Sequence, residues 1–286
     1  MENVYQRIAA EIGDMSKSHV RIATYILENQ TTAPFLTVGK LAKMAGVGDA
    51  TVVRFATALG YSGYAEMQQY MQSSVQQQLT TTERLRISEE VYDRESSGVY
   101  EVFQDDISNI QATMEKLDEQ AFHQAVESLL KARKIYIIAN RSAASLGVFL
   151  NYYLGIILEN TALIRSVEDS SEKLYDLGEQ DVVLGISFSR YTKSTIQMFT
   201  YAKEKNARTI AITDNLLSPL VPHADIPLAA SSQMPSFIDS FVAPLSLINA
   251  LITFVGKEKQ TDIHERLDVL EGIWDHFDVF EKRKNQ

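Results

Sequence analysis

The chain has no cysteine in 286 residues. Disulfides, thiolate metal sites and thiol nucleophiles are therefore excluded, and the composition suits a reducing cytoplasm. No apolar run is long enough to span a bilayer. The longest, residues 241–255, is interrupted by Pro244, Ser246 and Asn249 and reads as a buried helix. The first residues, MENVYQRIAAEIGD, lack the basic and apolar regions of a signal peptide. There is no internal repeat, nucleophile elbow, P-loop or zinc motif. His19, His123, His264 and His276 stand without metal-ligand spacing, so neither a metal nor a cofactor is expected. An excess of positive charge is missing too. The formal net charge of −10 argues against a general nucleic-acid binder.

What is present fits a soluble globular protein of about two domains, with 45% hydrophobic and 22% charged residues. The charge is unevenly spread. Through Ser74, six basic residues (Arg7, Lys17, Arg21, Lys40, Lys43, Arg54) balance six acidic ones (Glu2, Glu11, Asp14, Glu28, Asp49, Glu66), so the whole deficit lies beyond. A neutral N-terminal part tolerates DNA without demanding it, and useful affinity then calls for two copies.

The most specific stretch is Thr37 to Tyr61. Val38, Leu41 and Ala42 keep helical spacing, Gly46 interrupts it, and Val52, Phe55, Ala56 and Leu59 resume it. Two short helices joined at a glycine make an αα corner. Asp49 lies at the start of the second helix, where a carboxylate complements exposed N–H groups. With the apolar face inward, Ala50, Thr51, Val53, Arg54 and Thr57 face out. Such a slender face enters a major groove, with Arg54 available to a guanine edge or a phosphate, and Lys40 and Asp49 flanking it. The same pattern also fits an ordinary helical hairpin whose outer face is merely solvated.

Residues 41–69, LAKMAGVGDATVVRFATALGYSGYAEMQQ, resemble the helix-turn-helix of the RpiR/MurR family of bacterial transcriptional regulators. The matching positions are Leu41, Ala42, Ala45, Gly46, Val47, Ala50, Thr51, Val52, Arg54, Phe55, Leu59, Gly60 and Gly63. Gly48 stands where that family usually carries a serine cap, which would weaken the cap or shift it to Asp49.

Around this motif, residues 4–29 read as one or two helices broken between Gly13 and Ser18, with Ser16 as an N-cap. Tyr64, Met67, Tyr70 and Met71 continue as a further helix. Residues 72–98 are polar and read as a linker or partly helical connector. Helical periodicity returns from Val99, and a second helix starts at Asp118, a residue type that caps helices well. After Lys134, apolar strands (KIYIIA, TALIR, DVVLGIS, RTIAIT, DIPLA) alternate with helices at 143–158, 192–206, 216–221 and 239–256. That alternation predicts a doubly wound, flavodoxin-like parallel sheet. At the C-terminus Ile263, Leu267, Leu270, Trp274 and Phe277 form a seam that either packs on the sheet domain or pairs with a second chain. The expected organisation is an all-α domain over 1–75, a linker over 76–98 and an α/β domain over 99–286.

In such sheets ligands bind beyond the carboxyl ends of the strands. The strand ending at Ile186 runs into Ser187-Phe-Ser-Arg-Tyr-Thr, and the strand ending at Ala139 runs into Asn140-Arg141-Ser142. Arg141, Ser142, Ser145, Ser187, Ser189, Arg190 and Thr192 would then surround one crevice suited to an anion. Read singly, each hydroxyl is as compatible with a helix cap as with a ligand contact.

From about Gln104 to Gly256 this half resembles a SIS (sugar isomerase) domain. The resemblance implies a phosphosugar pocket in which Ser187, Ser189 and Thr192 hold the phosphate. Arg190 replaces that family's glycine after the second serine, and Ala139-Asn140-Arg141 replaces its glycine-rich first loop. A carboxylate or another anionic metabolite is therefore an alternative ligand. Pro235 to Ser240, reading P-S-F-I-D-S, matches one branch of these regulators.

An isomerase needs a base near the sugar carbons, and His223 and Asp239 are the nearest by sequence. The expected protein is a cytoplasmic, non-enzymatic regulator of a carbohydrate operon. It would bind a double-stranded DNA operator as a homodimer or homotetramer under control of a small anionic metabolite. A SIS-type sugar-phosphate isomerase with a helical interaction domain is the alternative.

Overall fold

The computed structural model describes residues 4–75, 79–92, 98–168 and 170–281. The chain divides into two compact units. The first comprises Met1–Asp106 and Gln233–Asp239, and the second Ile107–Ser232 and Ser240–Gln286.

The N-terminal unit is helical. It contains α1 (Val4–Glu11), α2 (Lys17–Glu28), α3 (Val38–Ala45), α4 (Asp49–Ala58), α5 (Tyr64–Val75), α6 (Thr81–Val91) and the first half of α7 (Gly98–Lys116). A 3₁₀ turn at Ile12–Asp14 separates α1 from α2, and Ser16 caps α2 by accepting from the His19 N–H. The core holds Ile8, Ile22, Ile26, Leu41, Val52, Phe55, Leu59, Met67 and Met71, all buried. Helical spacing puts these residues on the inner faces of five helices.

The connector takes the partly helical form, the second of the two readings given for it, and it packs into the core. Residues 76–78 and 93–97 lie outside the described residues, but α6 occupies much of the rest. It opens with a capping box, in which Thr80 and Glu83 satisfy each other's backbone N–H groups. Leu79, Ile87 and Val91 join the helical core. Their spacing of eight and four residues is helical, and the polar residues between them disguise it.

The second unit holds the rest of α7, then α8 (Glu119–Lys131), β1 (Ile135–Ala139), α9 (Ala144–Leu158), β2 (Thr161–Ile164), α10 (Ser171–Leu174), β3 (Val182–Ile186), α11 (Lys193–Glu204), β4 (Arg208–Thr213), β5 (Ile226–Ala229), α12 (Val242–Glu258) and α13 (Gln260–His276). Asp118 caps α8 by accepting from the Ala121 N–H at 2.9 Å. All five strands are parallel, in the order β2-β1-β3-β4-β5. This is the expected doubly wound, flavodoxin-like sheet.

β1 and β3 are buried along their whole length, because alternate residues serve two cores. Ile135, Ile137 and Ala139 pack with α8, α9 and α12, whereas Tyr136 and Ile138 pack with Leu174, Met198 and Phe199. Two glycines set the closest approaches. A Cβ on Gly147 would lie 2.7 Å from the Ala139 Cβ, and one on Gly185 would lie 2.6 Å from the Phe199 ring. The helix expected at 216–221 is not formed. Only Val221–His223 makes a 3₁₀ turn. Pro219 and Pro222 interrupt the segment, and the Ser218 hydroxyl is engaged by Thr213 at 2.7 Å.

Candidate nucleic-acid interface and anion crevice

α3 begins at Thr37, which accepts from the Lys40 N–H at 3.3 Å. It ends at Gly46, with φ of 64°. The Val47 N–H reaches back to the Ala42 carbonyl at 2.9 Å and the Gly46 N–H to the Lys43 carbonyl at 3.2 Å. These two bonds terminate the helix in a left-handed turn that favours glycine. Gly48 is the N-cap of α4 and offers no side-chain bond, and Asp49 is the first helical residue, not a shifted cap.

Val52, Phe55 and Ala56 anchor α4 in the core. Asp49, Ala50, Val53, Arg54 and Thr57 are exposed, and Thr51 is half-exposed. Arg54 Nε donates to the Ala50 carbonyl at 3.2 Å, which braces the side chain along its own helix. The Thr57 hydroxyl donates to the Val53 and Arg54 carbonyls, at 3.2 and 3.0 Å. The structure does not bring Lys40 to this face. Its ammonium donates to Glu101 at 2.8 Å and to the Val91 carbonyl, which ties α3 to the end of α6 and to α7.

In the second unit the strand order reverses between β1 and β3, the place where doubly wound sheets open a crevice. Ala139 pairs with Ile186, so the two following loops leave the sheet side by side. The Asn140 side-chain amide donates to the Thr195 hydroxyl at 2.8 Å, fixing the β1 loop to the first turn of α11. Neither residue was among the expected site residues. The T-x-x-T spacing of Thr192 and Thr195 was the available signal.

The Ser187 N–H continues the pairing with β4, donating to the Ile212 carbonyl at 3.1 Å. Ser187 and Ser189 are buried. Ser189 is 7% exposed, and among the described residues its Oγ has no hydrogen-bond partner. Leaving a buried hydroxyl unpaired costs about 1–3 kcal/mol. Thr192 is the N-cap of α11 without a side-chain cap bond, so the first N–H groups of that helix retain their affinity for an anion. Cap duty therefore does not explain these hydroxyls. Ser145 differs, since its hydroxyl donates to the Ser142 carbonyl at 2.8 Å, a local bond at the exposed start of α9. Arg141 and Arg190 are both exposed, each in its loop just before a helix.

The candidate bases lie elsewhere. His223 stands three positions before the start of β5, at the amino ends of the strands, and its carbonyl accepts from the Thr209 hydroxyl at 2.8 Å. Asp239 belongs to the N-terminal unit and is paired there with Arg84 at 2.7 Å. Asp214, which follows β4, accepts from the Tyr191 hydroxyl at 2.7 Å. Burial, and then the Asp214 charge, push the Tyr191 phenol well above its ordinary value. Two open cavities, of about 550 and 200 Å³, lie at the amino ends of the strands. Arg133, Asp181, Lys203 and Asp225 line them and are already joined in ion pairs. Those four charges are spent on one another, and the chemistry favours the crevice. Among the described residues no cluster of three metal-ligating side chains occurs.

The chain matches the helix-turn-helix domain of the rpiR family over residues 2–78 and the SIS domain over residues 128–254. It is 29% identical over 271 residues to an uncharacterized HTH-type transcriptional regulator of Caldanaerobacter subterraneus, covering 91% of this chain and 94% of that one. The HTH-type transcriptional regulator HexR of Pseudomonas aeruginosa is 24% identical over 279 residues, covering 93% and 94%. Among solved structures, the sugar isomerase domain of the RpiR transcription factor from Sphaerobacter thermophilus aligns with a TM-score of 0.59 at 24% identity. It covers 62% of this chain and 99% of that one. The Vibrio vulnificus NanR protein, complexed with ManNAc-6P, aligns with a TM-score of 0.56 at 20% identity over 98% and 100% of the two chains. A helix-turn-helix and a flavodoxin-like sheet in this order, matched by both domain families, place the chain in the rpiR family of helix-turn-helix transcriptional regulators that carry a SIS domain.

Proposed function

We propose that the chain is a cytoplasmic regulator of a carbohydrate or related catabolic operon. It reads a double-stranded operator with α4 as a homodimer or homotetramer. A small anionic metabolite, a sugar phosphate or similar, controls it from the crevice between β1 and β3. The observation that carries the DNA half is the outer face of α4. Small residues and Arg54 stand exposed there, on a helix whose other side is locked into the core. The control half is supported by the buried, unpartnered Ser189 hydroxyl beside the uncapped start of α11.

The crevice is a sensor and not a catalyst. His223 lies at the amino ends of the strands, Asp239 is paired with Arg84, and Asp214 is held by Tyr191. A metabolite that binds one arrangement of the oligomer better than another shifts its population, and with it the spacing of the recognition helices.

Operator binding measured by fluorescence anisotropy, with and without a panel of sugar phosphates, tests this reading. The NanR complex with ManNAc-6P is the reason to begin with that class. A compound that changes operator affinity in the wild type and leaves a Ser189→Ala, Thr192→Val variant unresponsive is the expected result. Turnover of a sugar phosphate by the purified chain would instead establish the isomerase.

A further inference from the structure

Among the described residues, five that are not glycine have positive φ: Arg141, Glu159, Arg190, Asn206 and Asp278. Glu159, Asn206 and Asp278 directly follow or closely trail the ends of α9, α11 and α13, where a left-handed residue commonly terminates a helix. Arg141, at 54°, and Arg190, at 62°, have no such explanation. Each precedes a helix, in the loop after β1 and the loop after β3 respectively. L side chains disfavour this conformation and glycine accepts it freely. In both loops, then, a position suited to glycine carries a guanidinium.

We propose that the effector carries two anionic groups on one carbon chain, a phosphate and a carboxylate, and that Arg141 and Arg190 select the second. This rests on the anion crevice proposed above. The Ser189 hydroxyl and the free N–H groups of α11 supply directed donors for a compact phosphate. A guanidinium fork adds a planar, two-bond fit to a carboxylate. β1 and β3 are adjacent strands, about 5 Å apart, so the two loops that carry the arginines leave neighbouring strand ends. Backbone strain of this kind, kept on both sides of a ligand crevice, is a mark of function and not of stability.

The experiment is a thermal-shift titration of the full chain with 6-phosphogluconate, glucose 6-phosphate and inorganic phosphate. The wild type, Arg141→Gly and Arg190→Gly are compared. In the wild type, 6-phosphogluconate is expected to give the same shift at a concentration at least about 10-fold lower than glucose 6-phosphate, a preference worth one bidentate contact. Each glycine variant should lose most of that preference while still responding to phosphate. In the absence of ligand each should melt at the same temperature as the wild type or higher, since glycine relieves the left-handed strain.

Equal protection by the two sugar compounds in the wild type would overturn the second anionic group and leave the phosphate crevice standing. The second anionic group also falls if both variants keep the preference, or if a variant melts lower without ligand, because the arginine would then be structural. No protection by any of the three, in any variant, would overturn the crevice itself and this inference with it.

Discussion

Arg84 and Asp239 are 155 positions apart in the chain and meet in a 2.7 Å ion pair within the N-terminal unit. The Arg84 side chain is 4% exposed and that of Asp239 13%. Arg84 also donates to the Ile238 carbonyl at 2.7 Å. The guanidinium thus satisfies both a backbone acceptor and a carboxylate, and it holds residues 233–239 against α6. Removing one partner leaves the other charge buried and unpaired. Asp239→Ala is expected to destabilise the N-terminal unit by about 3–5 kcal/mol. Replacing both residues, as Arg84→Met with Asp239→Leu, should recover much of that loss. Urea unfolding followed by far-UV circular dichroism measures both, and a single-variant loss below about 1 kcal/mol would show the pair to be solvated.

Operator binding separates two residues that look alike in the sequence. Arg54 is exposed on the outer face of α4, whereas the Lys40 ammonium is bound to Glu101 and Val91. Arg54→Ala is expected to weaken operator binding by about 1–3 kcal/mol with an unchanged melting temperature. Lys40→Met should lower the melting temperature and weaken binding only as far as the folded fraction falls. Gel shifts and thermal melts on the same two variants check this, and the reverse pattern would reassign the interface.

The contrast shows what the sequence could reveal. Periodicity and caps made the corner at Gly46 and the five strands legible, because local spacing alone decides which face of a helix is apolar and where a strand run ends. Long-range pairing was not legible in this way. Nothing local tells where a flexible lysine ammonium finds its carboxylate, or that residues 233–239 pack with a domain completed over a hundred positions earlier. α6 was hidden for another reason: its apolar contacts at Leu79, Ile87 and Val91 are diluted by charge, although Thr80 and Glu83 had already spelled out its capping box. At the crevice the hydroxyls were legible as a group. Their separation into the locally bonded Ser145 and the unpartnered Ser189 needed coordinates.

Assembly is expected to use α13. Its apolar seam leaves Leu267 37% and Phe277 70% exposed, while Ile263 packs against the sheet-unit core. Such a stripe is only half used within one chain, and two operator half-sites call for two chains. Leu267→Glu combined with Phe277→Glu should bring the sedimenting species down to the mass of a single chain without lowering secondary-structure content. An oligomer of unchanged mass would remove α13 from the interface.

The N-terminal unit should also respond to pH in an unusual direction. Asp105 accepts from the Tyr92 hydroxyl at 2.6 Å. Burial raises its pKa despite that bond, and the Glu101 and Asp106 charges add to the rise while Lys40 opposes it. A raised carboxyl pKa means that the folded state holds a proton which the unfolded state has released. Stability contributed at this site is therefore present at acid pH and is lost as pH climbs from about 4 through the folded value. Most structural carboxylates behave in the opposite sense. Asp105→Asn keeps an oxygen to accept from Tyr92 and removes the buried charge. It is expected to raise the midpoint of urea unfolding at pH 7, with the gain shrinking towards pH 4. A gain of equal size at both pH values would trace the effect to packing, and a loss at pH 7 would mean that the charge of Asp105 stabilises the fold.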